Sequence, residues 1–309
     1  MNSAFLLAAG LGTRLRPLTE LRPKALLPVC GVPMLDFALA QVRAHGHRGV
    51  LVNAHHLWQQ VAEWAYQHEV QVQVELPEIL GTGGGLRAAL GPGSGGDGLA
   101  DTVVVVNADI LSDVDLTALA AACPEDGAAM ALRVLAPGER IGAVMADAQG
   151  RVVHIQNVVE GDGGQPGTHF TGVHAMTRSA IGEIPDDGFQ CVVRSAYRDL
   201  VPRRRVGAWR HGGLWIDVGT PASYLRANLE VLGGRVSVPL DPWTRGERGP
   251  GGSWVGPGAV IEGQVERCVI GAGAVVPGGV RLVDTVVWDG VVIPGSLAEE
   301  REQGGIKSA

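Results

Sequence analysis

The chain of 309 residues has four cysteines, Cys30, Cys123, Cys191 and Cys268, and no two of them form a C-x-x-C pair. Neither a disulfide framework nor a zinc site is indicated, and the scatter suits a reducing cytoplasm. No apolar run is long enough to span a membrane. The apolar start lacks a basic leader and reaches Gly10 too soon for a signal peptide. An excess of positive charge is also missing: 25 Lys and Arg face 32 Asp and Glu, for a net −7. That balance argues against a general nucleic-acid or anionic-membrane binder, though local cationic pockets stay open. What remains is a globular composition, 46% hydrophobic and 18% charged, long enough for one large domain, a small one and a sizeable core.

Two familiar phosphate loops are absent as well. Ala8-Ala9-Gly10-Leu11-Gly12-Thr13-Arg14-Leu15 has Leu15 where a dinucleotide fingerprint needs its third glycine, and nothing supplies the Gly-Lys-Ser/Thr of a Walker loop. Yet the string follows a short apolar run, Ala4 to Leu7, that reads as a buried parallel strand, and precedes Met34 to Ala44, which has helical spacing. A glycine turn at the carboxyl end of a first strand is where open α/β sheets hold phosphates. Arg14 supplies a forked cation for phosphate oxygens. In Pro23-Lys24-Ala25-Leu26-Leu27-Pro28-Val29, Lys24 adds a mobile point charge.

Further along, Gly49 to Ala54 reads as a buried strand followed by His55-His56, which are expected in a loop. A second glycine cluster, Leu80-Gly81-Thr82-Gly83-Gly84-Gly85-Leu86, leads into a helix, and its three successive glycines would let backbone lie flat against a base. Gly91 to Asp101 reads as a Gly/Ser-rich surface loop. Thr102 to Val106 is the clearest central strand and ends in Asn107-Ala108-Asp109. A carboxylate just past a buried strand, at the edge that carries the first loop, is a natural Mg²⁺ ligand. Asp113 and Asp115 read as caps for a helix over Leu116 to Ala122. Glu160 to Gly167 reads as a lip, and Arg203-Arg204-Arg205 as a solvated helix end. In Trp215-Ile216-Asp217-Val218-Gly219-Thr220-Pro221, Asp217 lies between apolar residues and needs a cation or hydrogen bonds, while Thr220-Pro221 starts a helix.

Together these strings resemble the sugar-1-phosphate nucleotidyltransferases, the nucleotide-sugar pyrophosphorylases, over nearly the whole chain. The resemblance implies an α/β fold: a doubly wound, mostly parallel but mixed, Rossmann-like sheet. It implies nucleotide contacts from Ala9, Gly10, Leu11, Gly12, Thr13, Leu80, Gly81 and Thr82, and sugar contacts from Asn107, Gly142, Asn157, Thr171 and Gly172. Arg14 and Lys24 would be catalytic, and Asp217 would join Asp109 as the second Mg²⁺ ligand. Many relatives carry a Glu-Lys-Pro whose lysine holds the sugar phosphate. Here Gln156-Asn157-Val158 stands instead, leaving Asn157 for sugar hydroxyls and Arg194 as the candidate phosphate anchor.

Val255 to Ile261, Ile270 to Val276 and Val287 to Ile293 superimpose as apolar-glycine repeats, the mark of a parallel β-helix. The resemblance makes it a short left-handed one and a route to homo-oligomers. The expected division is residues 1–233 as catalytic domain, 234–254 as linker, 255–296 as β-helix and 297–309 as a frayed tail. The substrates implied are an NTP and a sugar 1-phosphate, with no nucleic acid or membrane. The rival readings are a silent regulatory paralogue and a transferase for a phospho-alcohol such as phosphocholine.

Overall fold

Ser3–Leu7 (β1) is apolar on both faces and takes the centre of a nine-stranded sheet. The computed structural model describes residues 3–91, 100–136, 139, 142–161, 165–235, 240–295 and 302–308. After β1 come helix α1 (Met34–Ala44), β2 (Gly49–Ala54), α2 (Trp58–Gln67), β3 (Gln71–Val74), α3 (Gly81–Leu90) and β4 (Thr102–Asn107). Next are β5 (Ile110–Ser112), α4 (Leu116–Ala121), β6 (Ala128–Val134), β7 (Ala143–Ala146), β8 (Val152–Ile155) and β9 (Gln165–Thr177). The catalytic-type motifs close with β10 (Val206–His211), β11 (Trp215–Asp217) and α5 (Pro221–Leu232).

The main sheet runs β8-β7-β9-β4-β1-β2-β3, with β6 paired to β9 and β10 to β6. Strands β4, β1, β2 and β3 are parallel, while β9 enters antiparallel to β4, β6 and β7. This is the mixed, doubly wound sheet expected. Alternation along β1 explains why both faces are covered. Ala4 and Leu6 join a core with Leu35 and Leu39 of α1 and Trp64 of α2, whereas Phe5 faces Leu86 and Leu90 of α3 and Tyr197.

Beyond α5 the strands shorten and stack. Strands β12 (Trp254–Val255), β15 (Val269–Ile270) and β17 (Arg281–Val287) pair in parallel, as do β13 (Val260–Ile261) with β16 (Val275–Val276), and β14 (Gln264–Glu266) with β17. These parallel ladders stack around Val265, Ile270, Val276, Leu282 and Ile293 in coils consistent with a β-helix.

Two segments depart from expectation. Within 234–254, residues 236–239 lie outside the described residues, but Leu240, Trp243, Arg245 and Trp254 pack against the sheet domain. Arg245 donates to Asp36 Oδ2 at 2.6 Å, answering a carboxylate that α1 buries and that also accepts from Trp64 Nε1. A buried charge requires such partners, which composition alone does not reveal. The tail expected to fray instead holds β18 (Glu302–Lys307), parallel to β17, so the open edge of the last coil is covered.

The coils and the sheet domain share one apolar cluster. Trp254, Val269, Val286 and Trp288 meet Leu15, Leu27, Val29, Met34 and Phe37 with Tyr224 and Val231 of α5. Gly31 (φ +72°) must be glycine here, because a Cβ would stand 2.3 Å from Trp254 Cη2. Trp288 Nε1 donates to Tyr224 Oη at 3.0 Å, and Tyr224 in turn donates to the Pro28 carbonyl. Arg22 stacks on Trp288 and pairs with Asp289 at 3.2 Å. No described helix is long and apolar enough to cross a membrane.

Trp254 is buried with its indole N–H held by the Pro242 carbonyl at 3.1 Å. Trp254→Ala is expected to lower unfolding free energy by about 3–5 kcal/mol, measured by urea denaturation.

Candidate active site

The register of a two-stranded ribbon brings distant carboxylates together. Strand β11 pairs antiparallel with β5 so that Asp217 lies opposite Ile110, next to Asp109, and Val218 N–H donates to the Asp109 carbonyl at 3.0 Å. Asp109 itself follows the carboxyl end of β4. Lys24, on a 3₁₀ turn (Lys24–Leu26), reaches between them. Its ammonium donates to Asp109 Oδ2 and lies 3.7 Å from Asp217 Oδ1, with the lysine side chain only 12% exposed. Shielding of this kind strengthens charge interactions over those at an open surface. The guanidinium of Arg14 and the Asp217 carboxylate both border Gly219, where a Cβ would stand 2.9 Å from Arg14 Nη2 and 3.1 Å from Asp217 Oδ2.

Two adjoining cavities open around this group. The first, of about 270 Å³, is lined by Ala8, Ala9, Gly10, Lys24, Asn53 and Gly81 among others. The second, of about 340 Å³, is bounded by Arg14, His169, Thr171, Gly172, Trp215 and Asp217. Leu7, Thr82, Asn107, Asp109 and Cys191 line both, so Asp109 stands where the two spaces meet. The location, past the carboxyl ends of β1 and β4, is where open parallel sheets bind ligands.

Strand β9 carries a bulge between Phe170 and His174, and this turns Thr171-Gly172 into the second cavity. Gly172 takes φ +80°, and a Cβ there would stand 2.7 Å from Asn107 Nδ2. Trp215 Nε1 donates to the Thr171 carbonyl at 2.8 Å, and Arg133 lies 4.2 Å over the indole. Arg133 also grips Glu139 through both its terminal nitrogens, and this hydrogen bonding holds the Glu139 carboxyl down at about 2. His169 Nδ1 donates to the Gly142 carbonyl at 3.1 Å, and burial lowers its affinity for a proton.

Of the sequence-predicted residues, Ala9, Gly10, Lys24, Gly81, Thr82, Asn107, Asp109, Thr171, Gly172, Arg14 and Asp217 all line one or both cavities. Leu11, Gly12 and Thr13 form an open loop at the rim, set by Gly12 at φ +62° and by Thr19 Oγ1 donating to the Gly12 carbonyl. Leu80 lies just behind the wall. Three others are elsewhere. Gly142 reaches the second cavity only through its carbonyl bond to His169. Asn157 is exposed on a turn at φ +63° and lines neither cavity. Arg194 is likewise exposed, on a π-helical turn (Val193–Tyr197) whose buried face is Ser195, Ala196 and Tyr197.

The glycine run also differs from expectation. Gly83, Gly84 and Gly85 are buried in the first turn of α3 among protein atoms, not flat against open space. The N–H groups of Gly83 and Gly84 donate to the Gln190 carbonyl at 2.8 and 3.2 Å. A Cβ on Gly85 would stand 2.6 Å from Glu75 Oε1. Small residues are needed because Phe189–Val192 and Glu75 crowd the helix start.

Asp115 caps α4 as expected, and Asp113 meets His211 at 3.3 Å. His55 bonds the Glu75 carbonyl and His56 the Thr19 carbonyl, so both fasten loops. Of the arginine triplet, Arg203 and Arg204 are solvated as expected, and all three are also paired: Arg203 and Arg205 hold Glu183, and Arg204 holds Asp147 at 2.7 Å. Thr220 and Ser223 form a capping box with Pro221 in the first turn of α5. Residues 92–99 of the Gly/Ser loop and 162–164 of the lip lie outside the described residues, while Gln165 already begins β9.

Sequence reading missed Asn53, Glu75, Phe189, Cys191 and His169. For Asn53 a signal existed: a polar residue at the end of an otherwise apolar strand, at the same sheet edge as the first loop. The second-cavity residues have none, because a bulge in a long strand leaves no local mark.

Residues 4–199 match the family model described as the MobA-like NTP transferase domain. The mannose-1-phosphate guanylyltransferase of Mycobacterium tuberculosis is 30% identical over 96% of this chain and 83% of its own length. The N-acetylmuramate alpha-1-phosphate uridylyltransferase of Neisseria meningitidis serogroup B is 31% identical over 70% of this chain and 93% of its own. Among solved structures, HddC from Yersinia pseudotuberculosis superimposes with a TM-score of 0.59 at 22% identity, over 74% of this chain and 98% of that one, a likeness of fold.

His174 backs the second cavity. It is fully enclosed, shares a hydrogen bond between Nδ1 and Tyr197 Oη, and burial pushes its pKa down to about 3. The folded state then holds it neutral while the unfolded chain protonates it below about 6.5, so stability falls as pH drops from 6.5 towards 3. Between pH 7 and pH 5 this residue alone is expected to cost about 2 kcal/mol. Urea unfolding at both pH values should show that loss in the wild type and a smaller one in His174→Gln.

Proposed function

The chain belongs to the MobA-like NTP transferase family, and from that premise we propose that it transfers a nucleoside monophosphate from an NTP to a sugar 1-phosphate, releasing pyrophosphate. The observation that carries the reading is Lys24 between Asp109 and Asp217 at the junction of two cavities. The first cavity takes the nucleotide and the second the sugar phosphate.

The attacking oxygen of a sugar phosphate is already anionic, so the reaction needs no general base. It needs positioning and fixed positive charge, because one phosphate anion must approach another. Lys24 neutralises charge where the two substrates meet. Arg14, with the open loop amides from Leu11 to Thr13, receives the leaving diphosphate. Gly81 and Thr82 border the base and ribose, and Asn107 with the Thr171-Gly172 bulge holds the sugar. No lysine stands in the Gln156-Asn157 turn, and the cations at hand for the sugar phosphate are Lys24, Arg14 and, when protonated, His169.

Asp109 and Asp217 fit Mg²⁺. They are hard oxygen donors that already share one cation, the Lys24 ammonium, and no group of three or more His, Cys, Asp or Glu gathers among the described residues. Such a pair suits an ion that takes one or two carboxylates and fills its remaining positions with phosphate and water. When bound, Mg²⁺ supplies further charge neutralisation between the reacting phosphates. The relatives named for GTP and UTP chemistry leave the base to a direct assay. The need for NTP and the scattered free thiols support work in the cytoplasm. A homo-oligomer contact belongs on the coils, where Val260, Val275 and Val292 stack in register with Val260 and Val292 exposed. In sedimentation, Val260→Glu with Val292→Glu should lower the mass of the wild-type particle.

Pyrophosphate release with a panel of NTPs against hexose and amino-sugar 1-phosphates is the direct test. Mg²⁺-dependent release with a sugar phosphate supports the reading. Binding without release points to a silent paralogue, and release with phosphocholine alone to the phospho-alcohol alternative. Asp109→Ala and Asp217→Ala should each abolish release with the fold intact by circular dichroism. Lys24→Ala should slow turnover by about 10²-fold or more.

A further inference from the structure

A buried polar pair joins the wall of the first cavity, which Asn53 lines, to Glu75 behind it. Asn53, at the carboxyl end of β2, is 1% exposed, and Glu75, just past β3, is 2% exposed. Asn53 Oδ1 accepts from the backbone N–H of Ala8 at 2.7 Å and of Ala9 at 3.3 Å. Those two donors fix which end of the amide is oxygen, so Nδ2 faces Glu75 and donates to Oε1 at 2.7 Å. The other carboxylate oxygen, Oε2, accepts from the Leu80 N–H at 2.7 Å. One chain of hydrogen bonds therefore runs from the first glycine loop, across two strands, to the residue before Gly81-Thr82. Gly85 leaves the room for it, since a Cβ there would stand 2.6 Å from Glu75 Oε1 and 2.8 Å from Asn53 Nδ2.

We propose that Asn53 and Glu75 are positioning residues that hold the two walls of the nucleotide cavity at a fixed separation, so that nucleotide affinity depends on the pair rather than on either residue alone. This rests on the nucleotide reading of the first cavity. The chemistry is directional. Ala8 and Ala9 present donors and require an acceptor at position 53, Leu80 presents a donor and requires an acceptor at position 75, and the facing ends must be one donor and one acceptor. Either arrangement of amide and carboxylate satisfies this. Asn53→Asp alone sets two carboxylates face to face, and Glu75→Gln alone forces one donor against another. The double exchange, Asn53→Asp with Glu75→Gln, restores every bond and the same net charge.

The experiment is a double-mutant cycle on the full chain, read by calorimetric NTP binding, by the KM values for NTP and for sugar phosphate, and by hydrogen exchange at the Ala8 and Leu80 amides without nucleotide. Each single variant should weaken NTP binding about tenfold or more, the scale of one buried unsatisfied group, with the KM for sugar phosphate little changed. The double variant should return binding to within about threefold of wild type and regain protection at both amides. Singles that do not fold, beside a double that folds and binds, give the same support. A double variant no better than the weaker single, or singles that bind NTP and protect both amides as the wild type does, overturns the proposal. If the wild type binds no NTP, the nucleotide reading falls, and the amide protection alone decides whether the pair couples the two segments.

Discussion

Two like charges brought into one partly shielded space are unstable unless a cation comes with them. Asp109 and Asp217 are in that position, and Lys24 resolves it. Much of the architecture can be understood as delivering these three groups. Asp109 comes from the end of a central strand, Asp217 from a ribbon whose pairing places it beside that strand, and Lys24 from a turn braced on its far side by α5 and the coils. Lysine suits the position in a way arginine would not: a compact ammonium can be shared by two carboxylates and still yield to an incoming anion, whereas a planar fork favours one partner. The chain has 25 basic residues, of which only Lys24 and Lys307 are lysines, so the choice of residue at position 24 stands out against an arginine background.

The protein uses two kinds of support around that centre. One is steric: Gly12, Gly85, Gly172 and Gly219 each sit where a side chain would strike a named neighbour, so backbone and ligand-facing groups approach closely. The other is polar and buried, as in Asn53 with Glu75, or Trp215 with the Thr171 carbonyl. A buried polar group without its partner costs more than a made bond returns, so such networks fix geometry more sharply than apolar contacts do.

The sheet, and the strings that bring Asp109, Asp217 and Lys24 together, were readable from the chain because they depend on local signals. Apolar runs such as Val103 to Val106 identify buried strands, glycine turns identify their ends, and Asp109 and Asp217 sit at strand ends inside distinctive strings. What was not readable depends on contacts far apart in sequence. The three glycines of α3 looked poised to face a ligand, yet they make room for Gln190 and Glu75. The segment 234–254 read as a linker, yet Arg245 bonds Asp36 and Trp254 packs on Gly31, contacts far away in sequence. Asn157 looked like a sugar ligand by its place in the string, but the turn that carries it faces solvent.

The union of the coils with the sheet domain has a consequence for anyone who would shorten this protein. Trp288 is bonded to Tyr224, Tyr224 to Pro28, and Arg22 lies on the Trp288 ring, only two residues before Lys24. Cutting the chain ahead of Trp254 would strip the backing from the turn that presents the ammonium and uncover Leu15, Leu27, Val29 and Met34 to water. The fragment left behind would be no minimal enzyme but a protein with an adhesive flank and a loosened lysine, so the repeats at the end of the chain belong to the same working unit as its beginning.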